Sequence, residues 1–295
     1  MVTSKQIAKI ETRLLLEAIF DVYGYEFKNY ASASLNRRIA HRMQQANIET
    51  ISELIPRMIH DVNFFNSFLK DMSISVTDMF RDPKFFKGMR NQVIPLLKTY
   101  PFAKIWHAGC CTGEEVYSLA ILLKEEGYYD KARIYATDYN NHSLEVAKKA
   151  IYPIENLRKY TTNYNKTGGK NSLSDYYTSS ADAVKFVDSL KANVTFANHN
   201  LAQDSSFGEI NLIVCRNVLM YFNTELQNRV LRLFNDSLVY NGILCLGQKE
   251  SLLFSDIQDN FELIDTDLKI YRKKLPTDAE KRHNMNKQNK PSINL

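Results

Sequence analysis

The chain has 295 residues, 44% of them hydrophobic and 24% charged, the balance of a globular protein long enough to bury a core in more than one domain. No apolar run has the length of a membrane span, and four cysteines without a Cys-x-x-Cys pair indicate neither a disulfide framework nor a zinc site. The net charge of +5 does not point to nucleic acid, because six lysines and arginines against two acids fall from Lys273 onward, in a polar tail rich in Asn, Lys and Gln, and leave the body close to neutral.

The segment Met1 to Gln6 lacks the apolar region of a signal peptide, so a cytoplasmic protein is expected. Leu15, Ala18, Ile19 and Val22 then recur at helical spacing, as do Ile51, Leu54, Ile55 and Met58, which predicts a small helical bundle. On a helix around Ser34 to Gln45, the residues Leu35, Ile39 and Met43 form the apolar face. The spacing leaves Arg37, Arg38, His41 and Arg42 on the other side, either as a basic stripe suited to an acidic helical partner or as a solvated face.

Past residues 71 to 82 the pattern changes to strands around 104 to 108, 132 to 137, 193 to 197, 210 to 215 and 242 to 247. They alternate with helical stretches around 113 to 126, 141 to 150 and 223 to 238, which predicts a mostly parallel sheet. Between Ile151 and Lys191 the chain is rich in Tyr, Asn and Ser around Gly168-Gly169, a hairpin signal. Phe261 to Ile264 and Leu268 to Tyr271 read as a terminal hairpin at the sheet edge. The predicted organisation is an all-helical domain over 1–75, a linker over 76–100, and an α/β domain over 101–274 with an inserted β-subdomain at about 152–192. A polar tail over 275–295 is expected not to fold.

The run from Ile105 to Ala120 places an apolar strand before a small-residue turn and a helix that opens with two carboxylates. Gly109 and Gly113 permit a close approach of backbone to ligand, and the helix start offers free N–H groups. Their spacing is Gly-x-x-x-Gly, not the Gly-x-Gly-x-x-Gly of a dinucleotide pyrophosphate site. Such a turn can also be a plain connection. Asp138 ends the next apolar run 25 residues after Gly113, where an acid can bind a ribose; it can also serve as a cap or turn residue before the helix at 141 to 150.

Five blocks in order carry a resemblance that covers about residues 10 to 272: SVTDMFRDP from Ser75, GCCTGEEVYSLA from Gly109, ATD ending at Asp138, HNL from His199, and CRNVLMYF from Cys215 followed by GILCLGQKESL from Gly242. The chain resembles the CheR-type chemotaxis receptor methyltransferases, the protein-glutamate O-methyltransferases. The resemblance implies a class I S-adenosylmethionine-dependent methyltransferase fold, α/β with a mostly parallel seven-stranded sheet, an N-terminal helical domain and an inserted small β-subdomain. It implies S-adenosylmethionine as cofactor, S-adenosylhomocysteine as product, and no metal. The implied partner is the cytoplasmic helical region of transmembrane chemoreceptors, whose glutamate side chains become methyl esters in sensory adaptation. Neither nucleic acid nor membrane insertion is implied, and a monomer is expected. In the family the β-subdomain is implied in receptor docking, in some members by gripping a peptide at the receptor's C-terminus. The alternative is a related methyltransferase, or a cofactor-binding adaptor, in another signalling pathway.

By resemblance, Glu115 and Asp138 contact the amino-acid and ribose parts of the cofactor, Asn200 and Leu201 frame the adenine, and Arg216 and Asn217 lie beneath it. Gly109 belongs to the cofactor turn, while Thr77 and Arg81 reach over from the upstream block. Ser75 stands where many members carry asparagine. Arg81 suits a carboxylate of the cofactor or the substrate, or else pairs with Asp78 or Asp82. Tyr221 is the catalytic contact, or else a buried aromatic beside Phe222. A glutamate with an ordinary pKa of about 4.3 is already ionised at neutral pH, so methyl transfer to it calls for positioning and desolvation and not for a general base. An amino-group nucleic-acid methyltransferase would carry Asn/Asp-Pro-Pro-Tyr/Phe where this chain has Arg216-Asn217-Val218-Leu219.

Overall fold

In the computed structural model, which describes residues 3–72 and 77–276, the chain begins with four helices: α1 (Ser4–Tyr23), α2 (Ser32–Ala46), α3 (Leu54–His60) and α4 (Val62–Met72). A capping box between Thr3 and Gln6 starts α1, and Gly24 ends it in the left-handed conformation. The tail expected from 275 onward falls almost wholly outside the described residues, as does Ser75.

Residues expected as a linker are helical instead. Pro83 opens α5 (Pro83–Gly88), which runs through a π turn (Met89–Val93) into α6 (Ile94–Leu97). Pro95 has no N–H to give to the preceding turn, and the helix widens just before it. Phe85, Phe86, Met89, Val93, Ile94 and Leu97 are buried, so this segment is part of the core and not a tether.

The α/β region continues with β1 (Ala103–Ala108), α7 (Glu114–Glu125), β2 (Ala132–Asp138) and α8 (Asn141–Lys149). The insert follows as β3 (Ile151–Pro153), α9 (Leu157–Lys166), β4 (Tyr177–Ser179) and β5 (Ala183–Phe186). Then come β6 (Val194–Asn198), β7 (Ile210–Cys215), α10 (Thr224–Ser237), β8 (Leu238–Leu246), β9 (Phe261–Asp265) and β10 (Ile270–Lys273). The seven-stranded sheet has the order β6-β2-β1-β7-β8-β10-β9. Its first five strands pair in parallel, and β10 is antiparallel to both neighbours. This is the class I methyltransferase arrangement. The terminal hairpin lies at the sheet edge as expected, with β10 pairing with β8 and β9 outermost.

The insert is a separate three-stranded antiparallel sheet, β3-β5-β4, but it contains a helix where a hairpin was expected. Tyr160 and Tyr164, four residues apart on α9, are buried against the main core, and Gly168 follows that helix instead of turning a hairpin. The tight turn lies further on, where Ser180 N–H donates to Ala183 O at 2.8 Å.

Strand alternation divides the core between the two sheet faces. Ile105, Ile134, Leu212 and Ile243 join α5, α6, α7 and the insert. Trp106, Ile213, Cys215 and Leu244 join Leu15, Ile19, Phe65 and Phe68 of the N-terminal helices together with α10. The helical bundle thus shares one continuous core with the sheet. The chain leaves β1 for β2 on one side, while β7 returns on the other, which opens a crevice at the carboxyl ends of these strands.

Candidate active site

A cleft enclosing about 960 Å³ of space, part of it open to solvent, lies at that crevice. The turn after β1 forms its floor. Gly109, Cys111 and Gly113 all have positive φ, at 71°, 50° and 92°. A Cβ on Gly109 would stand 2.5 Å from Val218 Cγ2, and one on Gly113 would stand 2.8 Å from Ala147 Cβ of α8. Gly109 lines the cleft, whereas Gly113 owes its lack of a side chain to packing against α8. Burial pushes the Cys111 thiol up to about 11, which disfavours the thiolate at neutral pH.

Asp138 ends β2 inside the cleft. Its two carboxylate oxygens accept from Cys111 N–H and Asn140 N–H, each at 2.9 Å. Burial pushes its pKa up, and the N–H groups of Asn140, Cys111 and Tyr139 pull it part of the way back. The cap of α8 is Asn140, which accepts from His142 N–H and Ser143 N–H. Asp138 is therefore a fixed acid before the cap.

Glu115 and Arg216 meet opposite it. Arg216 Nη1 donates to Glu115 Oε2 at 2.8 Å and Nη2 to Asp82 Oδ2 at 2.6 Å, and its guanidinium lies 4.0 Å from the centre of the Phe85 ring. Burial works to raise the Glu115 pKa, but Arg216, then His107 and Arg81, outweigh it and hold the group below its ordinary value. Thr77 and Arg81 line the same cleft. Asp82 binds Arg216, and Asp78 binds Lys159 at 2.6 Å.

Asn200 and Leu201 form a third wall with His199. The Asn200 amide is engaged in its own loop, accepting from Ala202 N–H at 3.0 Å and donating to Gln203 Oε1 at 2.7 Å. Asn217 follows Arg216 with φ of 60°. Its N–H and those of Val218, Met220 and Gly247 all donate to the buried Glu250 carboxylate, at 3.1, 2.8, 3.4 and 2.6 Å. The loop carrying Tyr221 is thus hung on one acid. Glu250 was not singled out in the sequence, although an acid three residues past the glycine that ends a strand was the available signal.

Tyr221 lines the cleft half-buried, beside Phe222. The N-terminal bundle reaches it directly. Ala31 N–H donates to Tyr221 O at 2.8 Å, Asn223 N–H donates to Asn29 O at 2.8 Å, and Tyr30 pairs with Phe222 in an isolated antiparallel bridge. Tyr30, Tyr139 and His107, none of them expected from sequence, also line the cleft. For His107 the signal was an ionisable residue inside an apolar strand.

The basic stripe on α2 is split by the structure. Arg37 and His41 are exposed. Arg38 is buried, with its guanidinium 5.2 Å from the centre of the Tyr221 ring, and Arg42 is tied to α4 through Asp71 Oδ2 at 2.7 Å and Ser67 O at 2.9 Å. Helical spacing placed all four opposite the apolar face, but α4 and the Tyr221 loop pack on that side too.

Among the described residues no group of three or more His, Cys, Asp or Glu could hold a metal ion, and no helix is long and apolar enough to cross a membrane. Residues 75–270 match the CheR methyltransferase SAM-binding domain, and residues 10–73 match the CheR all-alpha domain. The chain is 49% identical to "Putative methyltransferase Cher3" of Pseudomonas putida, over 92% of this chain and 99% of that one. It is 28% identical to a chemotaxis protein methyltransferase of Borreliella burgdorferi, over 83% and 89%, and 25% identical to chemotaxis protein methyltransferase 2 of Pseudomonas aeruginosa, over 83% and 84%. With both domain models matched in order around the cleft just described, the chain belongs to the CheR family of S-adenosylmethionine-dependent methyltransferases.

Proposed function

We propose that this protein methylates glutamate side chains on the cytoplasmic helical region of chemoreceptors, in the cytoplasm. The observation that carries the reading is the meeting in one cleft of a strand-end acid, an ion-paired acid and Tyr221, with the N-terminal helices forming the far wall. The residues fit S-adenosylmethionine. Asp138 offers rigid acceptors suited to ribose hydroxyls, and Glu115 Oε1 is a buried acceptor with no hydrogen-bond partner, suited to an ammonium. Leu201 supplies an apolar surface for a base.

When bound, the cofactor supplies a methyl group on a positively charged sulfur. The chain's own contribution is to orient and dry an incoming carboxylate. Orientation near attack geometry can account for about 7–11 kcal/mol of a barrier. In this reading Tyr221 contacts the reacting groups, Arg81 holds a carboxylate, and Arg37 and His41, the exposed part of the α2 stripe, meet an acidic receptor helix. Thr77 completes the cofactor side.

The decisive experiment supplies methyl-labelled S-adenosylmethionine and a chemoreceptor cytoplasmic fragment. Label released as volatile methanol by mild alkali is expected, because methyl esters hydrolyse readily. Label that survives alkali on the fragment, or equal labelling of a fragment whose acceptor glutamates are alanine, overturns the carboxylate assignment.

A further inference from the structure

His107 sits one residue before the end of β1, on the strand face that also carries Ile105, and is only 3% exposed. Neither ring nitrogen has a hydrogen-bond partner. Burying an imidazole in this way is unfavourable unless something completes it. Its Nε2 lies 3.4 Å from Glu115 Oε1, which is also buried and also without a hydrogen-bond partner. The other oxygen of that carboxylate is fixed by Arg216, and Arg216 is fixed in turn by Asp82. One half of Glu115 is therefore locked, and the other half faces an imidazole and the cleft that both residues line.

We propose that His107 is a positioning residue, which holds the free oxygen of Glu115 in line with the cationic amino group of the cofactor's methionine part. The proposal rests on the reading that Glu115 receives that amino group. An imidazole N–H beside Oε1 leaves the carboxylate one remaining direction in which to accept, into the cleft. Without it, Oε1 can take up water in that place, and the water must be displaced at each binding event.

Two ligands separate this role from a structural one. S-adenosylhomocysteine carries the amino-acid part, whereas 5′-methylthioadenosine keeps the adenosine and thioether and lacks it. Calorimetric titration of the full chain and of Glu115→Gln, His107→Ala and His107→Gln is compared for both. His107→Ala is expected to weaken S-adenosylhomocysteine about tenfold, the factor of one charge-assisted hydrogen bond, and to leave 5′-methylthioadenosine within about twofold. His107→Gln, which keeps an N–H near the position of Nε2, is expected to recover part of the loss. Equal weakening of both ligands by His107→Ala, or no weakening of S-adenosylhomocysteine, overturns the proposal. If instead Glu115→Gln binds S-adenosylhomocysteine as tightly as the parent, the Glu115 reading itself fails, whatever His107 does.

Discussion

The two walls of the cleft are held by different physics. On the sheet side, Asp138 is fixed by backbone N–H groups, and Glu115 and Arg216 by an ion pair removed from water, with a second, partly exposed pair from Arg216 to Asp82. On the helical side, the Tyr221 loop is joined to the segment carrying Tyr30 by main-chain hydrogen bonds, from Ala31 N–H to Tyr221 O and from Asn223 N–H to Asn29 O, and Arg38 lies over the Tyr221 ring with its Nη2 buried and without a hydrogen-bond partner. The sheet wall is set before any ligand arrives. The helical wall keeps polar capacity for an incoming group, which is the division expected where one side binds a constant cofactor and the other a macromolecule.

The contrast is broken most severely at Arg216. Arg216→Ala would leave the buried Glu115 without its ion-pair partner, and loss of one partner from a buried pair costs about 3–5 kcal/mol. Urea unfolding should show a loss in that range; a loss under 1 kcal/mol would mean that the pair is not an organising element of the sheet wall.

Adjacent acids at the start of α7 sharpen the comparison. Glu115 is held as a carboxylate, whereas burial pushes Glu114 up to about 7, despite its hydrogen bond from Thr112 Oγ1 at 2.7 Å. Between about pH 4.5 and 7, folded chains hold a proton on Glu114 that unfolded chains have released. Its contribution to stability is therefore full below about pH 4.5 and is lost as pH rises toward 7, by a total of about 3 kcal/mol. Glu114→Gln should flatten this part of the stability profile between pH 5 and 7, as read from urea midpoints. An unchanged slope would remove Glu114 from the account.

Smaller effects test the two walls one at a time. Asp138→Ala should weaken S-adenosylhomocysteine by about 1.5–3 kcal/mol, the range for a hydrogen bond to a charged group, and calorimetry showing parental affinity would end its assignment to the ribose. Tyr221→Phe should slow methyl transfer about tenfold, or about 1.4 kcal/mol, while leaving cofactor affinity in place. Parental turnover in that variant would return Tyr221 to a packing role.

Legibility in the sequence followed how local each cause is. The strand runs from Ala103, Ala132 and Ile210 were readable because alternation and apolar content are properties of the segment itself. Helix α9 was not, because its Tyr, Asn and Thr residues have indifferent helix propensity and its formation rests on Tyr160 and Tyr164 entering a core made elsewhere. The α5–α6 segment carried a legible buried pattern, but its two prolines resembled punctuation. In the site, Asp138 and Glu115 could be placed from the strand-turn-helix pattern and the resemblance. The inward turn of Arg38 and Arg42 could not, because it depends on α4 and on a loop 183 residues away in sequence, as the Arg38–Tyr221 contact illustrates.

The bridge between Tyr30 and Phe222 also has a consequence for the order of folding. Its flanking hydrogen bond joins Asn29 to Asn223, so this contact between the N-terminal segment and the Tyr221 loop forms when the chain closes a loop that contains most of the α/β region. Contacts of such sequence separation form late, because their entropic cost precedes their reward. The strands can therefore assemble around β1 before the cleft exists, and competence to methylate is among the last properties the chain acquires.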